Sequence, residues 1–251
     1  MGEISVLLIG DELLAAAIED ENLTYIIRSF GACGYETREV RIVGDSIPAI
    51  GAAARELART SDYLVSSGGV GPTHDDVTHE GIALGMEAPL MRDAIMYDFL
   101  VEKYGEGFSD RVERMARIPA GSEIILQPGQ GWPIVRKDNI FILPGLPRAL
   151  RDKVDRIVRM IPARGSFFSA EVFLRADEAD YADWLEEFQA RHEELVVGSY
   201  PYWHRPDYDA KIRIRSREKA IVDEALREID SYVRERGWHV RTEKTREDGG
   251  L

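Results

Sequence analysis

"SSGGVGPTHDDVT", residues 66–78, sets three glycines, a proline and two adjacent aspartates directly behind the short apolar run "YLV". An apolar run of strand length that ends in glycines and gives way to helical spacing reads as a buried strand turning into a helix. That turn decides the fold, because strands that hand over to helices in this way build a parallel sheet whose loops gather at one edge.

The flanking sequence repeats the pattern. "ISVLLIG" (4–10) is almost continuously apolar, as a strand covered on both faces should be. Tyr25, Ile26 and Phe30 in "NLTYIIRSFGACG" keep helical spacing, with Gly31 or Gly34 as the stop. "ETREVRIVGD" (36–45) is the second strand, Ser46 the N-cap of a helix over "IPAIGAAARELART", and "DYLVSSGG" (62–69) the third strand. Helices around 78–85 and 91–104 precede an irregular stretch about "RMARIPAGSEII" (114–125), and "NIFILPGLP" (139–147) is a further buried strand with a Pro–Gly turn. An amphipathic helix presenting Leu150, Val154, Ile157, Val158 and Ile161 closes an α/β domain over residues 1–164.

From residue 165 the pattern changes. "FFSAEVFLR" alternates as a half-buried strand, and Asp177 with Asp180 opens a helix carrying Tyr181, Trp184, Leu185 and Phe188. "LVVGSYP" and "DAKIRIRS" are two strands, followed by a helix with Ile221, Ala225, Leu226, Ile229 and Val233 inward and by an edge strand "WHVRT". This β-α-β-β-α order points to a small α+β domain over 165–241, a split β-α-β layer of ferredoxin-like or KH-like kind. The tail 242–251 has no apolar anchor and is expected to be disordered.

A chain of 251 residues with 44% apolar content has room for one large and one small domain. No run approaches the roughly 20 apolar residues of a membrane span. The N-terminus lacks the basic segment of a secretion signal, so a cytoplasmic protein is expected. One cysteine, Cys33, excludes an intramolecular disulfide and a thiolate-rich metal site. The net charge of −13 opposes binding to nucleic acid and to anionic membranes. An anionic small molecule would need a local basic group or a bound cation.

In an open parallel sheet, ligands bind beyond the carboxyl ends of the strands. Four strands end here in "GDELL", "GD", "SGGVGPTHDD" and "PGLP", so Asp11, Glu12, Asp45, Asp75, Asp76 and the Pro144–Gly145 turn share one edge. Gly68, Gly69 and Gly71 let a phosphate approach main-chain N–H groups, Thr73 offers a hydroxyl, and a helix starting near Asp76–Thr78 aims its positive end the same way. The plainer alternative is a strand–turn–helix in which the acids only cap helices and hold turns. Clustered acids repel a phosphate, since like charges 4 Å apart cost about 4 kcal/mol at an effective dielectric of ~20. A hard divalent cation held by Asp11, Glu12, Asp45 and Asp76 would remove that conflict and activate water. His74, with Asp75 and Asp76, is a candidate catalytic group, or a residue that holds the loop. The other histidines (79, 192, 204, 239) show no ligand spacing and read as surface or partly buried. The aromatics of "GSYPYWHRPDY" (198–208) either stack on a base or seal one domain against the other.

"GDELL…N" (10–22), "VGD" (43–45), "SGGVGPTHDDVT" (67–78), "RMARIPAG" (114–121), "LPGLP" (143–147) and "GSYP" (198–201) occur in that order. Together they resemble the competence/damage-inducible protein A family in its N-terminal portion, a MoaB/Mog-like molybdopterin-binding domain followed by a KH-like subdomain. The chain is similar also to the N-terminal domain of eukaryotic FAD synthases. The resemblance covers about residues 3 to 240 and implies a three-layer α/β/α domain with its site at the strand ends. It implies a pyrophosphatase dependent on Mg²⁺, Mn²⁺ or Co²⁺ that cleaves ADP-ribose- or FAD-like cofactors to AMP and a second phosphate. In the Mog-like branch it implies instead a protein that binds molybdopterin without turnover. The candidate phosphate- and nucleotide-binding residues are Asn22, Ser67, Gly68, Gly69, Gly71, Thr73, Thr78, Pro144 and Gly145, with a nucleotide or pterin as partner. A homo-oligomer, dimer or trimer, is expected of such domains. Long members add a nicotinamide-nucleotide deamidase domain, whose activity is not expected of this chain. Ala16 stands where the family has a glycine, Glu21 where it has a threonine, Ala49 where an arginine is common and Ala149 where long members have a glutamate.

Overall fold

A computed structural model describes residues 2–126, 131–203 and 206–247. They form two compact units, one of residues 2–30 and 35–164, the other of 31–34 and 165–247. The first carries β1 (Gly2–Ile9), α1 (Asp11–Leu14), α2 (Asn22–Ala32), β2 (Tyr35–Val43), α3 (Ile47–Thr60), β3 (Tyr63–Ser67), α4 (Thr78–Gly85) and β4 (Leu90–Arg92). It continues with α5 (Ala94–Tyr104), α6 (Asp110–Arg114), β5 (Arg117–Pro119), β6 (Glu123–Ile125), β7 (Ile134–Lys137), β8 (Ile140–Leu143) and α7 (Pro147–Met160). The second carries β9 (Phe167–Leu174), α8 (Ala182–Arg191), β10 (Val196–Pro201), β11 (Ala210–Ser216), α9 (Lys219–Glu235) and β12 (His239–Glu247).

The main sheet has the order β2-β1-β3-β8-β7-β6. Its first four strands are parallel, and β7 and β6 extend the β8 edge antiparallel. The continuous apolar run of β1 is explained by cover on both faces. Leu7 and Ile9 join Ile50, Leu57, Ile82 and Leu100 of the helices α3, α4 and α5 in one core. Ile4, Val6 and Leu8, which alternate with them, are no less buried. Because Ile9 pairs with Val43, Leu8 with Ser67 and Ser67 with Leu143, the four parallel strands end level. Every loop named above therefore leaves the sheet along one edge.

The second unit is a four-stranded antiparallel sheet of order β10-β11-β9-β12. With β11 lying between β9 and β10, this is the split β-α-β arrangement of the two kinds considered. Ala170, Val172 and Leu174 of β9 and Ile212 and Ile214 of β11 point to one face, where they pack with Phe188 of α8 and Leu226 and Ile229 of α9.

Several local expectations change. The stretch 114–125 is not irregular: β5 pairs with β4, and β6 with β7. Strands of three residues are too short for alternation to register in the sequence. Ser46 occupies the N-cap of α3 without a side-chain cap bond. Asp177 and Asp180 do form a reciprocal capping box, but around a single 3-10 turn ahead of α8. The tail expected to be disordered from residue 242 instead continues β12 to Glu247, paired with β9. Backbone pairing on one side is enough to hold an edge strand without apolar side chains. Residues 248–251 lie outside the described residues, as does His204. Among the described residues no helix is long and apolar enough to cross a membrane.

Candidate functional site

The turn after β3 is built on two glycines with positive φ, Gly68 (+109°) and Gly69 (+62°). A Cβ on Gly68 would stand 2.1 Å from the carbonyl oxygen of Ile9. The loop thus runs flush against β1, closer than any residue with a side chain allows. Thr78, fully buried, fixes its far end: its Oγ1 donates to Gly68 O at 2.8 Å and its N–H to Gly69 O at 3.0 Å. Gly68 N–H in turn donates to Leu143 O at 3.1 Å. The Pro144–Gly145 turn is held by Asn22, whose Nδ2 donates to Gly145 O (2.7 Å) and to Ser67 Oγ (3.2 Å). Asn22, Ser67 and Thr78 therefore brace the strand ends from beneath.

Asp76 folds back on its own loop. Its Oδ2 accepts from Thr73 N–H at 2.7 Å and from Thr73 Oγ1. The hydroxyl that sequence reasoning offered to a phosphate is committed to this brace. His74 and Asp75 sit at the exposed tip, 3.7 Å apart, with the His74 side chain 96% exposed.

The acids at the rim do not assemble into a chelating set. Asp11 and Asp45 cap each other's backbone, Asp11 N–H to Asp45 Oδ2 at 2.9 Å and Asp45 N–H to Asp11 Oδ1 at 3.2 Å. Among the described residues no three His, Cys, Asp or Glu side chains stand together as a group able to hold a metal ion. Of the expected set Asp11, Glu12, Asp45 and Asp76, two members cap turns here, Asp76 braces the glycine loop, and Glu12 lines the cavity described next. The carboxylates still feel one another. Burial raises the Asp45 pKa, and Asp11, Glu12 and Asp75 raise it further.

A cavity of about 570 Å³ opens beside the loop. Gly68, Gly69, Gly71, Asp76, Pro144 and Gly145 line it, with Glu12. Met96, Tyr104, Met115, Trp132, Val135 and Ile142 supply an apolar wall. Two further lining residues escaped the sequence reading. Lys153 of α7, 4% exposed, donates from Nζ to Trp132 O at 2.9 Å and to Pro133 O. Arg156 also donates to Trp132 O, at 3.2 Å. Burial, helped by Arg156, lowers the Lys153 pKa to about 8. His79 of α4, 8% exposed, is held neutral by burial, its pKa lowered to about 4. His79 was read as surface or partly buried, yet it shares the inward face with Ile82 and Ala83, three and four residues on. Lys153 likewise falls three residues after Leu150 and four before Ile157, on a buried face whose other charged member is Arg156. A charged residue on the inward stripe of an amphipathic helix was the available signal.

The departures at the loops also have positions. Ala149 lines the cavity, while Ala49 is exposed on α3. Ala16 adopts φ +51°, the left-handed region that favours the glycine expected there. Ala16→Gly should therefore raise stability by about 0.5–1 kcal/mol, the strain relieved less the added chain entropy. Urea midpoints check this; a loss would show that contacts of the Ala16 methyl hold the turn.

Residues 5–163 match the family model described as "Probable molybdopterin binding domain", and residues 166–240 match "FAD synthase, middle domain". A CinA-like protein of Myxococcus xanthus is 32% identical over 92% of this chain and 58% of its own. A probable FAD synthase of Caenorhabditis briggsae is 29% identical over 89% of this chain, which spans only 48% of that relative's length. The crystal structure of the protein CinA, of unknown function, from Thermoplasma acidophilum aligns at a TM-score of 0.58 and 31% identity, covering 63% of this chain and 96% of that one. The glycine loop, the level strand ends and the MoaB/Mog-like sheet have the same source: the chain belongs to the probable molybdopterin-binding domain family, followed in sequence by an FAD synthase middle domain.

Proposed function

We propose that the first unit binds a small phosphate ester carrying a heteroaromatic ring, a nucleotide or a pterin phosphate. The observation that carries this is one cavity lined both by the positive-φ glycine loop and by an apolar wall with a buried lysine. Its size and its few polar groups among apolar ones are those of a small-molecule site. Main-chain N–H groups of a glycine turn are an anion cradle that works inside an acidic protein, because they act at contact range. Lys153 adds a buried hydrogen-bond donor to the cavity wall.

Hydrolysis of the diphosphate bond in ADP-ribose- or FAD-like cofactors is a second reading. The crowding of Asp11, Glu12 and Asp75 about Asp45 favours it, since close carboxylates resist joint ionisation and attract hard cations. The arrangement of these acids in this structure is not that of a preformed metal site, so no role in binding is assigned to one. Calorimetry with AMP and ADP-ribose, and AMP release from ADP-ribose and FAD with Mg²⁺, Mn²⁺ or Co²⁺, separate the two. Binding without AMP release under any metal leaves a binding domain; no binding at all removes both.

Asp76→Asn sharpens the distinction. As a loop brace, the amide oxygen still accepts from Thr73 and one negative charge leaves the cradle. Phosphate affinity then rises about threefold, the loss of a repulsion of ~0.7 kcal/mol at ~6 Å in water. If Asp76 holds a catalytic metal, the same change abolishes metal-dependent AMP release.

A further inference from the structure

Resting on the binding reading above, we propose that His79 and Lys153 form a ring-recognition subsite that hydrogen-bonds the polar edge of the ligand's heteroaromatic ring, apart from the phosphate cradle. His79 lines the cavity, is more than nine-tenths buried, and makes no hydrogen bond with any described residue. Its ring nitrogens are not among the sealed atoms that lack a partner, so they stay open to water or to a ligand that enters the cavity. A neutral imidazole offers one donor and one acceptor, a pair that matches the donor–acceptor edge of a purine, flavin or pterin. It does not match a phosphate, which only accepts and which gains most from a charged donor.

Lys153 complements it. Two of its three ammonium donors go to the carbonyls of Trp132 and Pro133, and the third has no partner among the described residues. The same bonds hold the backbone of Trp132, whose ring is set edge-on to Phe99 at 5.2 Å and to Tyr104 at 6.2 Å. Trp132 and Tyr104 belong to the cavity wall. A flat ring against them would present its rim to donors and acceptors standing in the same cavity, whereas a ring-free sugar phosphate would use the glycine loop alone.

The test compares ring-bearing and ring-free ligands by calorimetry. AMP, FMN and a pterin monophosphate are titrated against the protein, with ribose 5-phosphate as the ring-free control. His79→Phe should weaken the tightest ring-bearing ligand about tenfold and leave ribose 5-phosphate within about twofold, while His79→Gln, which keeps a donor and an acceptor, restores most of the affinity. Lys153→Gln should show the same split, and it carries the comparison should the phenylalanine variant fail to fold. Which of the three ring compounds binds identifies the ring class. Equal weakening of ribose 5-phosphate and the ring compounds overturns the inference, because His79 would then serve the phosphate. Unchanged affinity for every ligand in both variants overturns it too while the cradle stands. Failure of all four ligands to bind the unaltered protein overturns the binding reading itself.

Discussion

Gly68→Ala is expected to destabilise the protein by about 3–5 kcal/mol, at the upper end for a single methyl group. Two independent costs add. At φ +109° an alanine lies outside even the left-handed well that L residues occasionally use. Its Cβ would also fall 2.1 Å from Ile9 O, an atom of a central strand with no side-chain freedom to yield. Relief requires parting β3 from β1 or giving up the bonds from Gly68 N–H to Leu143 O and from Thr78 Oγ1 to Gly68 O. Two other glycines provide controls. Gly145 would place a Cβ 3.5 Å from the nearest atom, an ordinary contact, so Gly145→Ala should be nearly neutral. Gly105 has positive φ (+52°) at ψ −120°, a backbone an alanine rarely adopts, but open space around it, so Gly105→Ala should carry strain without a clash and cost about 1–3 kcal/mol. Urea midpoints of the three variants measure the series. A Gly68→Ala variant no worse than Gly105→Ala would mean that the loop does not lie against β1.

That loop was legible in the sequence because a buried strand ending in glycines constrains direction and backbone together. "ISVLLIG", "DYLVSSGG" and "NIFILPGLP" all announce where a strand stops. Once the sheet is parallel, the stops must share an edge. What the spacing does not carry is where a side chain turns. Asp76 is one residue from Asp75, yet one braces the loop and lines the cavity while the other is exposed at the tip. The choice between metal ligand and turn cap is one of rotamer and partner, and in this structure Asp11 and Asp45 take each other's backbone N–H groups. His79 and Lys153 were missed for the opposite reason. Their positions were fixed by helical periodicity, but residue type argued for surface, and type was given more weight than phase. The second half of β12, "EKTRE", escaped for want of any apolar signal, since it is held by its backbone.

Lys153 also makes the fold's stability depend on pH in the alkaline range. Its pKa falls from an ordinary 10.5 to about 8 because burial penalises the ammonium and Arg156 repels it. Below the folded value the side chain is protonated in both states, and the fold carries the full penalty of up to about 3 kcal/mol, at 1.36 kcal/mol per unit. Between about 8 and 10.5 the unfolded chain binds the proton that the folded chain has released, so stability rises with pH across that window. Buried phenols act in the other direction. Burial raises Tyr25, Tyr35 and Tyr181, and such groups lose stability as pH climbs past their unfolded values. The quantity to follow is therefore the difference between the parent protein and Lys153→Met, in which these phenols cancel. Methionine fills similar volume, and Trp132 O keeps its bond from Arg156, so Pro133 O alone is left without its partner. At neutral pH the variant should be as stable as the parent or more so, since it removes a buried charge at the cost of one carbonyl. As pH rises through the window the parent should gain on the variant by up to about 3 kcal/mol, read from urea unfolding at closely spaced pH values. A difference that stays constant throughout would mean that Lys153 keeps an ordinary ammonium, solvated through the cavity instead of desolvated in its wall.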